Sequence, residues 1–168
     1  MSSKESLEHT ISILGKQEEL LIFEQFTRED AWSLGTILSG EIRSGRFPAA
    51  TAIWLNSGAI LFQYLGEGSG LDNEIWMRRK FNVVRRLDRS SLLFFCELER
   101  NGKKLEDRGL APADYAASGG GFPIRLKNAG VIGAVTFSGL PHFKDHAVIV
   151  NSIGKFLGIG NVPEVSQI

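Results

Sequence analysis

The run "RRKFNVVRRLDR" over residues 78–89 is the densest chemistry in the chain. Wound as a helix, it sets Arg78, Arg85 and Arg89 on one stripe and Arg79 and Arg86 beside it, with Val83, Val84 and Leu87 on the buried side. A guanidinium stripe can hold carboxylates or phosphates by paired hydrogen bonds. It can equally be a solvated face, or an ion-pairing surface toward a neighbouring subunit, because 19 acidic residues balance 19 basic ones.

Histidine is scarce: His9, His142 and His146 are the full set. His142 and His146 stand four apart with Asp145 between them, a spacing that places both rings on one helical face. Such a pair can bind a metal, and a single imidazole can be an axial haem ligand. No glutamate follows His142, so this is not the zinc-protease arrangement, and a structural or capping role is the competing reading. No dedicated metal site is expected.

The triplet Gly119-Gly120-Gly121 precedes "FPIRLK" and opens a strand, not a helix. It is therefore no dinucleotide-binding loop. It either turns a corner with close backbone packing or leaves amides exposed to an anion. Pro123 suits a strand start or an edge, where a missing donor does little harm. The chain contains no nucleophile elbow, catalytic-cysteine signature or P-loop, so local sequence alone assigns no enzyme activity.

These residues need elements to position them. Leu7, Ile11, Leu14 and Leu21 recur at helical spacing, and "LLIFEQF" alternates like a short strand. Thr27 and Asp30 mark a helix start, with Ala31, Leu34, Leu38 and Ile42 as its buried face, broken near Gly45 and Pro48. "ATAIWLN" and "AILFQYLG" around Ser57-Gly58 predict a hairpin. A long helical stretch from Leu71 splits near position 90, where Asp88, Ser90 and Ser91 are capping residues. "SLLFFCELE" is read as helix, although a short apolar run does not settle its own period. "GFPIRLK" and "GVIGAVTFSG" turn at Asn128-Ala129-Gly130, and a last helix runs from about Phe143 to Leu157. Antiparallel hairpins with a helical cover on one face make an α+β sandwich.

With 168 residues, 43% hydrophobic and 23% charged, the chain fits a single domain over 1–168. A net formal charge of zero disfavours nucleic-acid binding. Cys96, the sole cysteine, sits in an apolar setting and reads as a buried, inert thiol. The N-terminus lacks signal-peptide character, and no apolar run approaches the roughly 20 residues that span a bilayer, so a soluble cytoplasmic protein without membrane insertion is expected.

Taken in order, "WMRRKFNVVRRLDRSS", "DYAASGGGFPIRL" and "GVIGAVTFSGLPHFKDHAVIV" resemble the haem-degrading, HbpS-like family, in particular its uncharacterised cytoplasmic branch. The resemblance runs from about Thr27 to Leu157. It implies a profilin-like α+β sandwich, an antiparallel β-sheet with packed α-helices, assembled as a homo-oligomer, a dimer or a higher ring. It also implies binding of haem or a small carboxylate or other anion, with enzyme status open. The alternative is a non-catalytic oligomeric interaction or adaptor protein. The ligand-binding positions that the resemblance carries over are Arg78, Lys80, Gly119, Gly120, Gly121, Phe122, Pro123, Ser138, Gly139, Asp145 and His146, with Ser90 and Ser91 at the end of the basic helix. One position departs: the family commonly has histidine where this chain has Ser118, which cannot be an axial haem ligand. His142 or His146 would have to take that part, and His146, beside Asp145, is the better placed.

Overall fold

The computed structural model describes residues 3–166. Helix α1 (Ser3–Leu20) is followed by α2 (Arg28–Gly45), the hairpin β1 (Ala50–Leu55) and β2 (Ile60–Leu65), then α3 (Leu71–Leu87) and α4 (Ser91–Asn101). The second hairpin is β3 (Gly121–Leu126) with β4 (Gly130–Ser138), and α5 (His142–Leu157) ends the ordered elements. All strand pairs are antiparallel and the sheet order is β2-β1-β4-β3. This is the expected α+β class.

Local chemistry explains the helix boundaries. Thr27 accepts the Asp30 amide at 3.1 Å while the Asp30 carboxylate takes the Thr27 N–H at 2.6 Å, a reciprocal cap that holds α2. Such caps contribute about 0.5–2 kcal/mol. Ser90 caps α4 through the Leu93 amide at 3.2 Å, so "SLLFFCELE" is helical, as expected. The last helix starts one residue earlier than expected, at His142 behind Pro141.

Two expectations need correction. "LLIFEQF" is no strand: Phe23 alone bridges to β3, donating to the Arg125 carbonyl and accepting from Lys127 N–H. Its alternation reports core packing instead, with Phe23 fully buried against Phe26 and Phe156. Helices also cover both faces of the sheet, not one. Ile53, Phe122, Ile124, Val135 and Phe137 point into the main core with α2 and α5. Ala50, Ala52, Trp54 and Ala134 face Met77, Phe81 and Val84 of α3. Three alanines on that face let α3 lie close, and Trp54 stacks on Phe81 at 4.7 Å. The Trp54 indole N–H is satisfied by Thr136 Oγ1 at 2.8 Å.

Helix α4 forms a satellite core with α1, in which Leu14, Leu92, Cys96 and Phe143 meet. Burial there pushes the Cys96 thiol up to about 12, consistent with an inert sulfur. Strand β2 lies at one edge of the sheet, and it leaves Ile60 and Leu65 exposed. Among the described residues no helix is long and apolar enough to cross a membrane.

Candidate functional site

The buried face of α3 is apolar except at one position. Lys80 follows Met77 by three residues and precedes Val84 by four, so its stem runs inward with them. Its ammonium donates to the Phe137 carbonyl at 2.8 Å and to Asp145 Oδ2 at 3.0 Å. Asp145 lies in the first turn of α5, where the helix dipole favours a carboxylate, and its Oδ1 accepts the Leu140 N–H at 2.9 Å. Desolvation pushes Lys80 below and Asp145 above their ordinary values, and their mutual attraction pulls each back toward the charged form. Two of the three ammonium hydrogens are thus accounted for.

The glycine triplet threads between this ion pair and α5. A Cβ on Gly119 would collide with the His142 carbonyl oxygen. Gly120 has φ 113°, and a Cβ there would strike the Phe137 carbonyl oxygen and stand 2.7 Å from Lys80 Nζ. Gly121 donates its N–H to Ser91 Oγ at 2.9 Å. Only a residue without a side chain passes here. The close approach is made to protein atoms, and all three glycines are buried.

Above the pair opens a cleft of about 670 Å³. Trp76, Phe95, Leu105 and Leu140 give it apolar walls, and Arg79, Lys80 and His142 bring donors to it, with Asp72 and Asp145 as its acids. The same two rings, Phe95 and His142, also border a second hollow against the start of α1. They meet edge to face at 4.9 Å.

The two histidines of α5 have different surroundings. His142 is half-buried, and its Nδ1 accepts the Gly119 N–H at 3.1 Å. A backbone amide can only donate, so the ring carries its proton on Nε2 when neutral. Burial and the Lys80 charge hold it below the usual imidazole range. His146, one turn on, is enclosed, with Nε2 2.7 Å from Gln17 Oε1. Gln17 Nε2 donates to the Pro163 carbonyl at 2.7 Å, which fixes the amide's orientation and makes His146 Nε2 a donor too. Among the described residues His146 Nδ1 is buried with no partner, and desolvation takes the ring down to about 3.

Of the residues carried over from the family resemblance, Lys80, Ser138, Gly139 and Asp145 line the cleft. Arg78 does not line it; it lies exposed over the Trp54 ring at 5.5 Å. Phe122 is buried edge-on to His146 at 5.8 Å, and Pro123 pairs with Ala134 on the edge strand β3. His146 is buried and does not line the cleft. Sequence reasoning missed Asn73 and Trp76 on the wall, and it named Arg79 and His142 without joining them to Lys80 in one site. The signal was present as spacing: 72, 73, 76, 79 and 80 form one helical stripe, rotated from the arginine stripe.

That arginine stripe has partners of its own. Arg85 lies over Phe81 at 5.0 Å, Arg86 over Tyr115 at 5.9 Å, and Arg89 pairs with Glu97 at 2.6 Å. Stacking of this kind contributes about 0.5–1 kcal/mol at exposed sites.

The layout is that of an α+β protein whose four-stranded antiparallel sheet lies between helices, with a cleft where β4 hands over to α5. The family model described as "Haem degrading protein HbpS-like" matches residues 26–153, and the chain belongs to this HbpS-like family. A UPF0303 protein of Rhizobium rhizogenes is 42% identical over 153 residues, covering 91% of this chain and 94% of that one. A UPF0303 protein of Streptomyces coelicolor is 39% identical, covering 89% and 94%. Among solved structures, Ybr137w protein superposes with a TM-score of 0.81 at 29% identity, covering 88% of this chain and 87% of that one. A PduOC:heme complex shares the fold with a TM-score of 0.63 at 15% identity, covering 83% and 96%.

Proposed function

We propose that this protein binds a small organic anion, a carboxylate with an apolar body, in the cleft between α3, α4 and the start of α5. One observation carries the reading: an aromatic-walled space of about 670 Å³ on which Arg79, Lys80 and His142 converge. Ligand sites of this size combine apolar walls with a few oriented polar groups. A porphyrin with its two carboxylates is a member of that class, and the family description and the haem-bound neighbour support it as the first probe. Titration with a porphyrin, followed by quenching of tryptophan fluorescence with Trp76→Phe as the reference for the cleft, tests the reading. Saturable quenching lost in Arg79→Ala supports it, and the absence of any porphyrin binding removes it.

A second reading rests on a different surface. Trp32, 65% exposed, meets Phe62 of the edge strand β2 edge to face, and Gln63 of β2 donates to Glu74 at 3.2 Å, next to Ile75, which is 47% exposed. Exposed apolar side chains beside an open sheet edge favour association with a second copy or another protein. We propose a homo-oligomer formed through this side, compatible with ligand binding at the cleft.

A further inference from the structure

We infer that the cleft presents His142 as a hydrogen-bond donor and offers iron no imidazole nitrogen, because Gly119 and Gln17 hold both α5 histidines with the proton on Nε2. The inference rests on the proposed anion-binding role and specifies its chemistry.

A neutral imidazole has one proton. An axial ligand coordinates through a ring nitrogen that has lost its hydrogen, and the other nitrogen then bears an N–H that needs an acceptor. At His142 the other nitrogen is Nδ1, and what faces it is the Gly119 N–H at 3.1 Å. Moving the proton to Nδ1 would set two donors against each other. Gly119 is also packed closely against the His142 carbonyl and the His146 Cβ, which ties it to the same helix turn. At His146 the Nε2–H is already given to Gln17, whose amide is oriented by Pro163. Its remaining lone pair, on Nδ1, is enclosed beside the Phe122 ring and outside the cleft. His9 is exposed on α1, among residues that do not line this space. The histidines therefore do not fit axial ligation of haem.

The same arrangement fits a carboxylate. The nitrogen that His142 has left for a ligand is Nε2–H, and Lys80 has one ammonium hydrogen beyond those taken by Phe137 and Asp145. Burial keeps His142 neutral, so it donates without adding a charge next to Lys80. A ligand held this way is recognised by its acid group and apolar body, with no iron–nitrogen bond.

The test has two arms. Long-range proton–nitrogen correlation of histidine-labelled protein reads the tautomers directly. Nε2–H at both His142 and His146 is expected, and Nδ1–H at His142 overturns the inference whatever binds. In the second arm, haem and iron-free protoporphyrin are titrated into wild type and His142→Gln, whose amide can both accept from Gly119 and donate to a ligand. The two porphyrins should bind within about threefold of each other, and His142→Gln should change both affinities by the same factor. Haem bound more than about tenfold tighter than protoporphyrin, with that excess lost in His142→Gln, means iron ligation and refutes the inference. If neither porphyrin binds while the tautomers are as stated, the anion-binding role falls and the donor assignment stands.

Discussion

Lys80 on α3 and Asp145 on α5, 65 positions apart in the chain, form a buried ion pair at 3.0 Å, each side chain about 3% exposed. It joins a helix on one face of the sheet to a helix on the other across the end of β4. Removing one partner strands a charge in a poorly solvated place, at a cost of about 3–5 kcal/mol. Lys80→Met and Asp145→Asn should each lower stability by that order in urea unfolding. The double variant Lys80→Met/Asp145→Asn should lose clearly less than the two single losses combined. Additive losses would show that the pair is not coupled.

Gly120 should not tolerate a side chain. Its φ of 113° and the Phe137 carbonyl in its Cβ direction put strain and collision together. Gly120→Ala is expected to cost more than about 2 kcal/mol. Gly15, inside α1 with nothing within 4 Å of a built Cβ, is the control. Gly15→Ala should stabilise by about 0.4–1 kcal/mol. Comparable unfolding midpoints for the two variants would contradict the packing described.

Much of this was legible from the residues. The Thr27–Asp30 cap, the Ser57-Gly58 hairpin and the break at Ser90 are local devices, written within four positions of where they act. The helical phase of residues 72–80 was equally available, but charge density drew attention to the neighbouring arginine stripe. Other features depend on distant chain. Gln17 meets His146 from 129 positions away, and the Gly119 amide meets His142 from 23. No spacing rule within α5 announces either, so the i, i+4 pair looked like one site when its members face different surroundings.

Acid should weaken the fold through those histidines. The unfolded imidazole takes a proton near 6.5, whereas native His146 stays neutral down to about 3. Between these values the unfolded chain holds more protons, so stability rises with pH and is lost on acidification. His142, also lowered, has the same sign. Glu18 and Asp145 are raised by burial and oppose the trend where the native carboxylates begin to bind protons. Each histidine contributes at most about 1.4 kcal/mol per pH unit. The urea midpoint should fall from about pH 7.5 to about pH 5.5, and less steeply in His146→Leu. An equal pH dependence in that variant would exclude His146 as a source.

Binding should separate two adjacent arginines. Arg79 lines the cleft and lies over Trp76 at 4.3 Å, whereas Arg78 projects over Trp54. Arg79→Ala is expected to weaken protoporphyrin binding by about 1.5–3 kcal/mol, the range of a hydrogen bond to a charged group. Arg78→Ala should leave affinity within about 0.5 kcal/mol. The reverse ranking in a fluorescence titration would move the ligand off this wall.

Association should depend on the β2 side. Light scattering is expected to give a mass of at least twice 18.5 kDa. Trp32→Glu or Ile75→Glu should shift it toward the monomer, since a charge is poorly tolerated in an apolar contact. A monomer in the unaltered chain, or an assembly indifferent to both changes, would assign those side chains another role.

The amide of Gln17 has a consequence for where this chain can be cut. It grips His146 with its oxygen and Pro163 with its nitrogen, joining α1, α5 and the C-terminal segment at one side chain. The family match begins at 26 and ends at 153, so α1 and Pro163 both lie outside it. These two appendages are fastened to each other as well as to the body, with Val165 packed into the same satellite core as Leu14. Trimming the protein to its family boundaries would strip the clasp from both sides at once. His146 would keep its enclosed Nδ1 and lose the only acceptor its Nε2–H has among the described residues. A minimal fragment is thus the wrong object on which to measure this fold, and limited proteolysis should release the two ends together instead of one by one.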